Sequence, residues 1–234
     1  MALPRIDTPT YQTHLPSTGQ EVQFRPFLVK EQKIIMMAQE SGNETQMISA
    51  LSELVTACTF NKIDVVNAPT FDVEYLFLKI RSKSVGESVN INVVCPDDET
   101  TQTSIKLDLE EIKIRTSEGH NNIVNITDKV KLVLKYPTLL DVSRIGDAQS
   151  SEGTFKLMYR CIHEIHYGDD VFHRIDISDK DIEEFIDQLT GDQFEKVTNF
   201  FQTMPKLSHI VTVTNPKTNV VSEVKLEGLQ SFLG

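Results

Sequence analysis

The spacing of apolar residues changes period three times along the chain, and this pattern constrains the fold more than any other feature of the sequence. Apolar residues recur every three or four positions through much of residues 29–85, and at every second position through much of residues 88–134. Helical spacing returns after residue 138, and alternation returns in residues 209–226. The first spacing is typical of amphipathic helices and the second of half-exposed strands. This order predicts an α+β fold rather than an array of βαβ units.

Capping residues locate three helices in the N-terminal part of the chain. The first helix is predicted over about residues 29–40. Asn43 is a good N-cap for the second helix, because Gln46 follows it three positions later. The third helix is predicted to take Thr70 as its N-cap and to end at Gly86.

The later signals predict a central antiparallel sheet, then more helices, and finally a C-terminal β-hairpin. Helices are expected over residues 138–144 and 153–163, followed by a strand-like piece over residues 171–177. Capping boxes that begin at Ser178 and Thr190 start two further helices, which should form a helical hairpin. The two alternating runs at the end of the chain are separated by a turn that contains proline, as in a β-hairpin.

These signals divide the chain into four segments, which form either one or two compact domains. They are an extended N-terminal arm over residues 1–20, a helical segment over residues 21–86, an antiparallel β segment over residues 87–137, and a helical segment with the C-terminal β-hairpin over residues 138–234. The arm contains three prolines among polar residues, a composition that favours an extended backbone. It is expected either to fray or to dock on a partner.

The net charge indicates which classes of partner the chain can bind, and the cysteines indicate its cellular compartment. The chain carries 34 acidic and 23 basic residues, a net charge of −11 at pH 7. Non-specific binding to nucleic acid or to anionic lipid depends on Lys and Arg, so neither is expected as a partner. No apolar run approaches the roughly 20 residues of a membrane span, and no secretory signal is visible. Cys58, Cys95 and Cys161 form no Cys-x-x-Cys pair, which favours reduced thiols in the cytoplasm.

One cluster of residue types is typical of metal centres. Cys161, His163, His166, Asp169 and His173 lie close together in the sequence, and thiolates and imidazoles are the usual ligands of zinc. On a helix, His163 and His166 would share a face, although the His-Glu-x-x-His spacing of zinc proteases is absent. A metal-dependent hydrolase centred on Cys161, His163, His166 and His173 is therefore the alternative function. The simpler alternative is that Cys161 and one histidine pack where a helix meets a strand, while the rest are solvated.

Other catalytic templates find little support. The sequence contains neither the Gly-Lys dipeptide of a phosphate-binding P-loop nor a Gly-x-Ser-x-Gly nucleophile elbow. The carboxylates between Asp169 and Glu195 are of the type that serves as acid and base in glycoside hydrolysis. Many of them lie opposite an apolar helical stripe, which indicates a solvated outer face.

Three segments are similar to a known family. They are residues 27–42, 70–87 and 200–207, and the most specific part is Tyr75-Leu-Phe-Leu-Lys-Ile-Arg-Ser-Lys-Ser-Val-Gly86. Together with the closing Leu-Glu-Gly-Leu-x-x-Phe, they resemble the baseplate proteins of T-even-type contractile-tailed bacteriophages. The resemblance implies a non-enzymatic role, without a cofactor, in assembling the central hub of the baseplate. The protein would be either a hub subunit or an assembly chaperone.

The resemblance also implies partners and a location. The expected partners are other baseplate hub or tail proteins, met in the host cytoplasm during assembly and present in the virion tail. The third predicted helix offers a contact surface, because it carries a second strip of apolar and cationic residues beside its inward stripe. This strip is either inserted between layers of its own domain or in contact with a partner. The candidate partner-binding residues are Phe71, Tyr75, Leu78, Arg81, Lys83 and Phe200.

Overall fold

A computed structural model describes residues 6–145 and 150–232 and confirms the α+β class. The helices are α1 (Val29–Ser41), α2 (Glu44–Cys58), α3 (Thr70–Val85), α4 (Leu139–Ser143), α5 (Ser151–Cys161), α6 (Asp179–Asp187) and α7 (Gly191–Thr203). The strands are β1 (Tyr11–His14), β2 (Glu21–Phe24), β3 (Ser88–Val94), β4 (Gln102–Asp108), β5 (Lys113–Arg115), β6 (Ile123–Asn125), β7 (Val130–Leu134), β8 (Ile162–Tyr167), β9 (Asp170–His173), β10 (Lys206–Thr214) and β11 (Val221–Glu227). Short 3-10 helices span Arg174–Asp176 and Leu229–Phe232.

The described residues form two compact units. Residues 6–115 and 206–232 belong to the first unit, and residues 116–205 belong to the second. The first unit contains the pairs β1-β2 and β3-β4 and the three-stranded sheet β11-β10-β5, whereas the second contains the sheet β6-β7-β8-β9. All of these pairings are antiparallel. The strands predicted in the middle of the chain are thus divided among several small sheets.

The N-terminal residues contribute a hairpin to the first unit. Strand β1 lies within the predicted extended arm and pairs with β2. Leu15, Val22 and Phe24 of this hairpin are buried. The backbone N–H of Ser17 donates a hydrogen bond to the carboxylate of Asp72 at 3.0 Å, and the Ser17 hydroxyl donates a second one to the same carboxylate. These bonds tie the hairpin turn to the first turn of α3.

Local capping signals place most helix starts correctly. The side chain of Asn43 accepts a hydrogen bond from the Gln46 backbone, and the predicted capping boxes at Ser178 and Thr190 are both present. The predicted cap of α3 is wrong, because the N-cap is Pro69 and Thr70 is already helical. Proline supplies the extended backbone that an N-cap position requires.

The core of the first unit lies between α3 and the strands in which apolar and polar residues alternate. In β3, alternate side chains are buried, and Ile91 and Val93 pack in one apolar cluster with Leu107 of β4 and Val211 of β10. Leu78 of α3 belongs to the same cluster. The period of two in the sequence therefore places one face of each of these strands on the core.

The core of the second unit is shared by its sheet and its last two helices. Leu132 and Ile165 lie on the sheet, while Ile182 of α6 and Val197 of α7 pack in the same cluster. Two predictions within this unit are confirmed only in part. The helix expected over residues 153–163 ends two residues earlier, and the strand-like piece over residues 171–177 is the short strand β9 followed by a 3-10 helix.

Candidate functional site

The predicted contact strip on α3 lies largely inside the first unit. Phe71 and Leu78 are buried. Tyr75 packs against the cluster that contains Leu78, and its hydroxyl shares a hydrogen bond of 3.0 Å with the hydroxyl of Thr13. A helix with apolar side chains around most of its circumference must bury most of that surface against other parts of the protein. The structure thus gives these side chains intramolecular contacts, and a partner contact by them stays a prediction.

The two cationic candidates lie near the C-terminal end of α3. The Lys83 ammonium lies 2.5 Å from a Glu87 oxygen and 3.3 Å from a Glu110 oxygen. Glu110 also pairs with Lys79, and this pairing lowers the pKa of the Glu110 carboxyl although partial burial opposes the shift. Arg81 is half-buried, and burial lowers the pKa of its guanidinium. Lys83 is therefore already engaged with carboxylates of its own unit.

Phe200 is buried in the core of the second unit. Its ring centroid lies 5.1 Å from that of His120, 5.7 Å from that of Tyr136 and 5.0 Å from that of Phe201. The His120 ring nitrogens are both within hydrogen-bonding distance of hydroxyls, at 2.9 Å from Thr203 and 3.1 Å from Tyr136. Burial lowers the pKa of His120, which favours the neutral ring. These contacts give Phe200 a packing role, and partner binding by Phe200 stays a prediction.

A cavity of about 560 Å³ adjoins this aromatic cluster. It is lined by His120 and Phe200 together with acidic and amide side chains, among them Glu118 and Asn199. Lys196 also lines it, but its ammonium donates to backbone carbonyls of β6 and the next residue at 3.2 and 3.1 Å. Pockets for small organic ligands are mainly apolar. The polar lining makes this cavity a poor match for that class.

Cys161 lies at the end of α5 and is completely buried. Burial, together with the nearby Asp141 carboxylate, raises the pKa of its thiol to about 12. A thiol that remains protonated is a poor metal ligand and a poor nucleophile. This position fits the simpler sequence interpretation, in which Cys161 packs where a helix meets a strand.

The histidines of the predicted cluster lie on strands rather than on a helix. The register between β7 and β8 shifts so that Leu134 faces Ile162 and His163 has no opposite residue, as in a β-bulge. The predicted helical face shared by His163 and His166 is therefore wrong. His166 lies 2.8 Å and His173 3.2 Å from the carboxylate of Glu164, while His163 lies at 4.0 Å.

The Glu164 carboxylate lies close to all three histidines and is hydrogen-bonded to His166. The hydrogen bond with His166 lowers the pKa of the Glu164 carboxyl, and the charges of His173 and His163 add to the effect. The buried thiol of Cys161 takes no part in these contacts. Among residues 6–145 and 150–232, no group of three or more His, Cys, Asp or Glu side chains has the geometry to hold a metal ion. The four-residue metal cluster of the alternative function is therefore not formed in this part of the chain.

The comparison with family models decides the class of the protein. The model described as T4 bacteriophage base plate protein matches residues 8–234, which includes residues of both units. The chain belongs to this family. Comparison with curated proteins and with solved structures finds no match. The resemblance found in the sequence is thus confirmed at the level of the family.

Membership in the family makes this chain a phage base plate protein. Proteins of this class contact other baseplate proteins, so surfaces for protein contact are the functional sites to look for. The helices in the described part of the base plate protein are all too short or too polar to cross a membrane.

Two features of the base plate protein were not found by sequence reasoning. The first is Glu74, a half-buried carboxyl on α3 whose pKa is raised to about 7 by burial. Its position between Phe71 and Leu78 on the helical surface was a usable signal, because it places a charge within an apolar strip. The second is the outer edge of β3, where no side chain is charged. Its recognition requires the strand order, which the sequence does not supply.

Proposed function

We propose that this base plate protein acts in building the central hub of the phage baseplate, through protein–protein contacts and without catalysis. The family match over nearly the whole chain carries the proposal. Because the match includes residues of both units, the baseplate role belongs to the whole molecule rather than to one appended part. The partners are other hub or tail proteins, and the contacts form in the cytoplasm of the infected host.

Exposed apolar side chains support a role in protein contact. On α1, Val29, Met36 and Met37 are all exposed and lie at i, i+7 and i+8, which places them on neighbouring parts of one helical face. In the second unit, Phe172 and Ile175 are exposed next to the β9 edge. Contiguous exposed apolar residues are typical of interaction surfaces. The net charge of −11 favours protein partners over nucleic acid or anionic lipid.

A hub subunit and an assembly chaperone differ in the amount of the protein that is present in the finished virion. A hub subunit remains in the finished tail, whereas an assembly chaperone leaves before the virion is complete. Quantitative mass spectrometry of purified virions separates them, because peptides of this chain are expected in fixed ratio to other baseplate proteins only for a subunit.

A gene deletion tests the proposal itself. Phage that lack this chain are expected to form no complete baseplates, and plasmid-borne expression of the chain should restore them. Electron microscopy of lysates would show the defect directly. Normal baseplates without the chain would show that it has no role in their assembly.

A further inference from the structure

Among residues 6–145 and 150–232, no strand pairs with the outer edge of β3, and its backbone groups there form an unpaired row. Two backbone hydrogen bonds lie at the two ends of the β3–β4 pairing. Leu109 N–H donates to Glu87 O at 2.8 Å, and Cys95 N–H donates to Thr101 O at 2.7 Å. Hydrogen-bonded pairs alternate along an antiparallel ladder. Between these two bonds, the odd-numbered residues of β3 therefore bond to β4, and the even-numbered residues point their N–H and C=O groups away. Those outward residues are Ser88, Asn90, Asn92 and Val94, and all four are exposed.

This edge lacks the usual protection of an edge strand. All seven residues of β3 are uncharged and none is proline. Proteins normally guard exposed edges with charges, prolines or very short strands. The outer edge of β11 shows the contrast, because its outward residues include Glu223, Lys225 and Glu227. The exposed β3 edge is therefore suited to pairing with another strand.

A groove beside the edge is lined by more apolar than polar side chains. It has a volume of about 480 Å³ and is lined by residues 91–94 of β3, by Val224 and Leu226 of β11, and by Gln230 and Ser231. Ile91 and Val93 face the core cluster, so the groove opens onto its margin. A strand that pairs with β3 would direct every second side chain towards this margin. The groove thus selects apolar residues at alternate positions.

We infer that the outer edge of β3 binds an extended segment of another baseplate protein, which adds as a strand and places aliphatic side chains in the groove. The row of free N–H and C=O groups requires an extended backbone, which neither a helix nor a small molecule supplies. The uncharged edge requires a segment without charges at the pairing positions. The inference rests on the proposed function for the source of the partner.

A second copy of the chain fits this site less well. The self-complementary choice would be β3 against β3, which an antiparallel pairing permits. In that arrangement the side chains of Ile91 and Val93 of the second copy would already lie in its own core. They would leave the groove empty, whereas a separate extended segment has side chains free to fill it.

Amide hydrogen exchange of the isolated full chain, followed by NMR, tests whether the outward N–H groups of β3 are unpaired. The amides of Asn90 and Asn92 are expected to exchange at least tenfold faster than those of Ile91 and Val93, because only the latter pair with β4. Equally slow exchange at all four amides would show that the edge is already covered, and it would overturn the inference.

Cross-linking identifies the occupant. A photo-reactive residue is placed at Asn92 or, as the control, at Ser104, which is exposed and lies opposite Asn92 on β4. The probe is a baseplate intermediate purified from infected cells. The result expected is a cross-link from position 92 alone to a segment of another baseplate protein that alternates apolar and uncharged polar residues. A cross-link to a second copy, to a helical or charged segment, or no cross-link would overturn the inference.

Substitutions that place a charge on the outer edge of β3 test whether this edge binds the segment. Asn90→Lys and Asn92→Lys add a charge at exposed positions, and Ser104→Lys is the matched control. A synthetic peptide of the cross-linked segment is expected to bind the first two variants at least tenfold more weakly and the control within twofold of wild type. Wild-type affinity of Asn92→Lys would overturn the inference but leave the proposed function intact. Normal baseplates in the gene deletion would instead refute the proposed function.

Discussion

The pKa of Glu74 leads to a prediction about the pH dependence of stability. Burial raises the pKa of this carboxyl to about 7 from its ordinary value of 4.5, and the described residues offer it no charged or hydrogen-bonding partner. Below about pH 4.5 the carboxyl is protonated in both states and costs nothing. As the pH rises to about 7, the unfolded chain releases this proton while the folded chain retains it. The free energy of unfolding therefore falls over this interval and then levels off.

The magnitude follows from the two pKa values. One pKa unit corresponds to about 1.4 kcal/mol, so the full cost is about 3 kcal/mol. Glu74→Gln removes the ionisation, and we expect it to raise the free energy of unfolding by about 3 kcal/mol near pH 8. Near pH 5 the gain should be less than about 1 kcal/mol, because little of the difference in ionisation has developed there.

Urea unfolding of wild type and variant at several pH values measures this effect. Glu53→Gln is the matched control, since Glu53 is exposed on α2 and the change in formal charge is the same. The control is expected to follow the pH dependence of wild type. If Glu74→Gln also runs parallel to wild type between about pH 5 and 8, the Glu74 carboxyl is solvated and the reasoning is refuted.

Three further predictions concern side chains that pack or pair within the units. Ser17→Ala is expected to lower the free energy of unfolding by about 1.5–3 kcal/mol, because the buried Asp72 carboxylate loses a hydrogen bond; an unchanged urea midpoint would contradict this contact. Phe200→Ala should cost about 3–5 kcal/mol in the same measurement, and a variant as stable as wild type would show that the ring is not core. Burial raises the pKa of Cys58 to about 11 and that of Cys161 to about 12. Both thiols should therefore react slowly with a disulfide reagent in the native chain and rapidly in urea. Equal rates in the two conditions would indicate exposed thiols.

Features that depend on neighbouring residues could be predicted from the sequence. The N-cap at Asn43 and the capping boxes at Ser178 and Thr190 involve residues three positions apart, so their signals lie within one short window. The alternation in β3 and β4 likewise places Ile91 and Leu107 on the core without knowledge of the strand order.

Features that depend on distant segments could not be predicted in this way. The position of His163 depends on a register shift between β7 and β8, strands that lie about thirty residues apart in the sequence. The helical spacing of His163 and His166 therefore indicated a shared face that a strand does not provide. Strand β5 follows β4 in the sequence yet pairs with β10, so the single predicted sheet could not reveal this partner.

The two proposed contact regions place different demands on the molecule. Phe71 and Leu78 on α3 are buried, so a partner could reach them only after the first unit opens and exposes apolar surface to water. The outward groups of Asn90 and Asn92 on β3 are exposed, and a strand could pair with them while the core stays closed. Mutation of Leu78 would therefore reduce stability whether or not it reduces assembly, whereas Asn92→Lys should reduce assembly at nearly unchanged stability. Loss of assembly by Asn92→Lys at wild-type stability would therefore assign the contact to β3, and normal assembly by this variant would argue against it.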